Sequence, residues 1–93
     1  MTFGFGLSDE LKKLLPKLAK RNKVLLLALN KKMAEIIASD DLAIDHYKNL
    51  RHDMSDYKRV HVGGSFVLFF HVLKKQKFVL FQRLEHHDDA YKR

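Results

Sequence analysis

Six histidines, eighteen lysines and arginines and no cysteine define the chemistry open to this 93-residue chain. Without cysteine there is no thiolate nucleophile, no thiolate metal site and no disulfide framework, as suits a reducing compartment. Proton transfer then falls to histidine, which titrates near pH ~6.5 and can accept or donate a proton. Charge stabilisation falls to arginine, whose planar, permanently protonated guanidinium suits bidentate contact with a phosphate. In the run 57–62 these residue types alternate. Tyr57, Arg59 and His61 fall on one side of a β pleat, and Lys58, Val60 and Val62 fall on the other. A second group, His86, His87 and Asp88, lies near the end of the chain. Adjacent residues on a strand face opposite ways, so this pair of imidazoles is not expected to close on one ion, and no metal or cofactor is expected.

A formal charge of +7 and a pI near 9.8 favour a polyanionic partner, either nucleic acid or an acidic protein. Apolar residues make up 46% of the chain, with seven Phe and three Tyr, which is the composition of a packed globular domain. The length allows one domain, 1–93, with a modest core. The apolar run 24–29 is far shorter than the roughly 20 residues a membrane span needs. Asp9 and Glu10 interrupt the start where a signal peptide would be apolar. The expectation is a soluble, unexported protein.

The elements that position these residues follow from local pattern. Phe3, Phe5 and Leu7 alternate in 2–7, predicting a short or edge strand. Ser8 with Asp9 and Glu10 forms a helix start, and Leu11, Leu14, Leu15 and Leu18 recur at helical spacing, with a kink or break expected near Leu15 from Pro16. From Lys23 to Ala38, Leu25, Leu29, Met33, Ile36 and Ile37 form the stripe of a second, amphipathic helix. Residues 39–55 are polar without periodicity and read as a long loop. Gly63-Gly64 marks a turn between the strand 57–62 and a Phe- and Val-rich strand 65–73. The charged turn 74–77 leads to a third strand over 78–84, completing an antiparallel meander. The fold class is α+β, with the two helices covering one sheet face and leaving the other face and the C-terminal tail partly open.

This order of elements, together with YKNLR at 47–51, DYKRVHVGGSFVLFF at 56–70 and EHHDDAY at 85–91, resembles the RelE-like branch of the RelE/ParE toxin superfamily over nearly the whole chain. The resemblance implies the toxin of a type II toxin–antitoxin system, a metal-independent endoribonuclease that cleaves messenger RNA in the ribosomal A site and so inhibits translation in the cytoplasm. It implies a RelB-like antitoxin as partner, in a hetero-oligomer, with no membrane involved. The family's two alternating basic residues on the second strand match Arg59 and His61. Its basic or His residue after the last strand matches His86 or His87, and the Tyr close behind matches Tyr91. The family's Arg after an aromatic on the third strand is absent, because Val67 follows Phe66.

Cleavage by the 2′-hydroxyl needs a base, a stabiliser of charge on the pentavalent phosphate and an acid for the leaving 5′-oxygen. Arg59 suits the second role, His61 serves as base or phosphate ligand, His86 or His87 as acid, and Tyr91 stacks on a base or orients the phosphate. Lys48, Arg51, Lys58 and Arg83 are the candidates for diffuse RNA contacts, or else belong to an ordinary solvated surface. His71 reads as a sheet residue, and the Phe cluster at 66, 69, 70, 78 and 81 as core in preference to a stacking platform. Two alternatives stay open: a ParE-like toxin directed at gyrase, and a degenerate toxin that binds its antitoxin or RNA without cutting, which the missing cation at Val67 keeps in view.

Overall fold

A computed structural model describes residues 3–49 and 56–90. Ser8 opens the first helix: its hydroxyl accepts from the Leu11 N–H at 3.1 Å, while Asp9 and Glu10 place negative charge at the positive end of the helix dipole. Helix α1 (Asp9–Arg21) then runs unbroken through Pro16. The break expected near Leu15 does not occur. Pro16 and Lys12, the residue whose carbonyl loses its intrahelical partner, are both exposed, whereas Leu11 and Leu18 are buried on the opposite side. Packing of that buried side outweighs one missing hydrogen bond.

Asn22 ends α1 and caps α2 (Lys23–Ile37), its side chain accepting from Leu25 N–H at 3.1 Å, so the two helices fold back on each other across a single residue. As the apolar stripe predicts, α2 buries Leu25, Leu29, Met33 and Ile36.

The segment read as a long loop contains two short elements. Asp40 accepts from Ala43 N–H at 2.8 Å and starts α3 (Asp41–Ile44), which is anchored by the fully buried Ile44. Strand β2 (Lys48–Asn49) follows. A four-residue helix and a two-residue strand carry no periodicity to read, and both are held by contacts distant in sequence.

The sheet has five strands in the order β1-β5-β4-β3-β2. β3 (Tyr57–Val62), β4 (Phe66–Leu73) and β5 (Phe78–His86) form the expected antiparallel meander. β2 pairs antiparallel with β3 at one edge, and β1 (Gly4–Leu7) lies parallel to β5 at the other. α1 and α2 cover one face. Their Leu11, Leu29 and Ile36 meet Val62, Leu68, Phe70, Val79 and Phe81 in one core. Among the described residues, no helix is long and apolar enough to cross a membrane.

Candidate nucleic-acid interface

The face of the sheet turned away from α1 and α2 is built by three local devices. The first is the alternation of β3. Val60 and Val62 pack toward the helices, which turns Tyr57, Arg59 and His61 to the other side. The second is the turn after Val62, where Gly63 and Gly64 have φ of 62° and 82°. That left-handed backbone favours glycine and fixes the register in which His61 faces Val67, Arg59 faces Phe69 and Tyr57 faces His71.

The third device is a bulge in β5. Phe69 pairs with Arg83 but its neighbour Phe70 pairs with Phe81, so Gln82 is an extra residue with no partner. Val79 and Phe81 point into the core. Strict alternation would bury Arg83 and Glu85 beside them. The extra residue reverses the phase, so Leu84 packs on the core and Arg83 and Glu85 face outward with Arg59 and His61. The bulge is braced by Ser8, whose hydroxyl donates to the Gln82 carbonyl and whose N–H donates to Phe81 O at 2.9 Å.

Arg59 is partly buried, and its Nε donates to the Asn49 carbonyl at 3.3 Å. Lys48, its partner across β2, is exposed and helps line an open groove of about 400 Å³ with Arg59, His61 and His46. Arg83 lies with its guanidinium carbon 4.3 Å from the centre of the Phe69 ring, and its Nε is 2.6 Å from Glu85 Oε2. Tyr57 and His71 stack at 4.1 Å with 10° between their planes, so His71 is a sheet residue packed against its cross-strand neighbour.

Beyond β5 the chain turns back over the sheet. His87–Ala90 forms a short helix, α4, that crosses the outward face. The His87 N–H donates to Ser65 O at 2.7 Å, and Ala90 is buried against Val67 and Phe69. Ala90 covers the apolar centre that Val67 and Phe69 give this face, while His86 to Asp89 stay exposed, so the described part of the tail is partly open as expected. The turn into α4 also separates the two adjacent histidines. His87 stacks on His61, with centroids 5.5 Å apart and planes 28° apart. His86 instead meets the edge of Phe66, on the helix side of the sheet, at 5.3 Å. Geometry thus brings His87, and not His86, to Arg59 and His61.

Two candidates, Arg51 and Tyr91, lie outside the described residues. Lys58 does not fit its expected place on an RNA-contacting surface. It points to the helix side, is 5% exposed, and donates from Nζ to Asn49 Oδ1 at 2.7 Å. Its buried ammonium ties β2 to β3, since a buried charge must be partnered. The Phe cluster divides: Phe70 and Phe81 are core, and Phe69 lies on the outward face beneath Arg83 and Ala90.

Sequence reasoning missed Glu85 and Asn49. The spacing of Val79, Phe81 and Leu84, two and then three residues, carried the signal for Glu85, because it breaks the alternation at Gln82 and announces the bulge. Asn49 had no local signal. Among the described residues no three His, Asp or Glu side chains gather closely enough to hold a metal ion. What the face offers is two guanidiniums, two stacked imidazoles and a carboxylate around an apolar floor.

No family model matches the chain. A Methanocaldococcus jannaschii chain that carries the toxin name RelE4 is 49% identical over 83 residues, covering 89% of this chain and 84% of the relative. Among solved structures, a variant of Escherichia coli toxin RelE in the free state superposes with a TM-score of 0.72 at 20% identity, over 98% of this chain and 88% of that one. The toxin of the intact Escherichia coli RelBE toxin–antitoxin complex does so with a TM-score of 0.67 at 15% identity, over 90% and 95% of the two chains. The fold is shared with the solved structures, and near-half identity across most of both chains goes further: this chain belongs to the RelE family of toxins.

Proposed function

We propose that this toxin is a ribosome-dependent endoribonuclease that cleaves messenger RNA with the outward face of its sheet, and that a RelB-like antitoxin silences it. The observation that carries the reading is the convergence of Arg59 and His61, from one strand, and His87, from the short helix α4, on one face. Arg59 and His61 are neighbours on β3, and it is the fold that brings His87 to them from far along the chain.

The chemistry is transfer at phosphorus without a metal. A bond forms between the 2′-oxygen and phosphorus as the bond to the 5′-oxygen breaks. His61 takes the 2′-hydroxyl proton, His87 supplies a proton to the leaving 5′-oxygen, and Arg59 balances the charge on the equatorial oxygens. Tyr91 stacks on a flanking base, and Lys48 and Arg51 contribute contacts to the phosphate backbone. The ribosome supplies a messenger held in single-stranded form, which accounts for an enzyme whose own face is shallow. That setting also implies a cytoplasmic protein.

The antitoxin partner follows from the family and from the Escherichia coli RelBE complex, with a basic surface suited to an acidic or amphipathic antitoxin segment. Primer extension on a defined messenger, in a purified translation system with and without ribosomes, tests the reading. New messenger ends that need ribosomes support it. No ends in either condition, with growth arrest retained, overturns it in favour of a gyrase-directed toxin. No ends and no arrest indicate a toxin that only binds.

A further inference from the structure

Lys58 and Arg59 are consecutive on β3 and point to opposite faces of the sheet, yet both meet the same residue of β2. On the helix side the Lys58 ammonium donates to the side-chain oxygen of Asn49 at 2.7 Å, and the Arg59 Nε donates to the main-chain carbonyl of Asn49 at 3.3 Å. From this juxtaposition we infer that Lys58 and Asn49 are positioning residues for the cleavage reaction, an inference that rests on the reading of Arg59 as the group that meets the reacting phosphate. The buried ammonium fixes Asn49, and the Asn49 carbonyl fixes the plane of the Arg59 guanidinium on the outward face.

β2 needs such a fixture. It has two residues, Lys48 paired with Arg59 and Asn49 paired with Lys58, and it lies at the edge of the sheet, where so short a ladder holds only weakly. The surroundings close around the ammonium. Lys58 pairs with Phe70 on β4, and Tyr47, two residues before Asn49, meets the edge of the Phe70 ring at 5.6 Å. Lys58 is left 5% exposed. An ammonium shut away from water must keep its acceptor, so the Asn49 side chain is held more firmly than by an exposed hydrogen bond. Stability alone does not call for a lysine here: an apolar side chain of similar length avoids the desolvation of a charge, which a neutral amide compensates only in part. What the ammonium adds is direction. A guanidinium is planar, and its two terminal nitrogens turn with Nε, so a bond at Nε sets where the phosphate-binding edge lies. A shift of about 1 Å in the Asn49 carbonyl would tilt that edge away from the phosphate and slow the reaction without removing any charge.

The test compares the wild type with Lys58→Met, Asn49→Ala and Asn49→Asp, each checked by circular dichroism and used well below its melting temperature. Methionine fills the space of the lysine without a donor, alanine removes the acceptor, and aspartate retains an oxygen for the ammonium. Ribosome-dependent cleavage of a defined messenger is followed for kcat and KM. Lys58→Met and Asn49→Ala should each lower kcat by about 10- to 10²-fold with KM little changed, and Asn49→Asp should restore most of it. In an Arg59→Lys background, which keeps the charge and removes Nε, Lys58→Met should cost no further activity, because the two residues act as one unit. A lowered melting temperature with kcat intact, or losses that add in full, assigns Lys58 to the fold alone and overturns the inference. Exchange of the Arg59 Nε proton, followed by NMR on the free protein, reads the positioning without the reaction: it should be about fivefold faster in Lys58→Met and Asn49→Ala than in the wild type. Unchanged exchange overturns the inference as well. If the wild type makes no ribosome-dependent cuts while the Nε proton is released in Lys58→Met, the positioning of Arg59 stands and the nuclease reading falls.

Discussion

The hydroxyl of Ser8, which caps α1, donates to the carbonyl of Gln82, the extra residue in β5. One side chain thus starts the first helix and braces the irregularity that turns Arg83 and Glu85 outward. Position 8 is 74 residues from position 82 in the chain, so the first turn of α1 and the composition of the outward face are coupled through a single oxygen.

Ser8→Ala should therefore cost more than a helix cap. Loss of the cap alone is worth about 1 kcal/mol, and the partly buried Gln82 carbonyl loses a donor as well. A melt should show a fall in Tm of several degrees, and RNA binding should weaken with no charge having been changed. A lowered Tm with RNA affinity untouched would mean that the bulge holds without its brace.

The two adjacent histidines should separate functionally as they do in space. His87→Ala should reduce ribosome-dependent cleavage by about 10² to 10⁴, the usual contribution of a positioned proton donor, and His86→Ala by far less. The joint Arg59→Ala, His61→Ala variant should abolish cleavage without unfolding the domain. Primer extension with matched circular dichroism checks all three, and equal losses for His86 and His87 would contradict the site built here.

Lys48 and Lys58 differ by burial, and a salt titration should reveal it. Lys48→Met is expected to shallow the salt slope of RNA binding by up to about 0.7, whereas Lys58→Met should leave the slope alone. Asn49→Ala, which strips the buried Lys58 ammonium of its partner, should destabilise the fold by roughly 1 to 3 kcal/mol in urea denaturation.

Among the described residues, Asp45 gives a pH dependence with a direction. The hydrogen bond from the Lys74 ammonium at 2.5 Å holds its carboxyl below the ordinary value of 3.8. A carboxyl whose folded-state pKa is depressed contributes stability above its unfolded pKa, and that contribution is lost as pH falls through the lowered folded value. Lys74→Met should bring the Asp45 titration, followed by NMR, back toward 3.8, and any difference in Tm between variant and wild type should vanish in acid. The pair is exposed, so the effect at neutral pH is small.

What the sequence by itself determined is the set of features whose causes are local. Ser8 and Asn22 delimit the helices because a capping side chain needs only the next turn of backbone. Arg59 and His61 share a face because a pleat has period two, and Gly63-Gly64 makes a turn because its φ values suit glycine. The resemblance carried by 47–51, 56–70 and 85–91 was legible for the same reason, being a matter of residues at fixed spacing. The tertiary structure decided everything that depends on which strand lies beside which. The unpartnered Gln82 reverses the phase of β5 and brings Arg83 and Glu85 to the site. The covering of Val67 and Phe69 by Ala90 selects His87 over His86. The burial of Lys58 removes a cation that composition alone would have placed on the surface. Side-chain direction propagates along a strand only while its pairing is regular, and that regularity is set by the neighbouring strand and the core beneath it, which a local pattern does not contain.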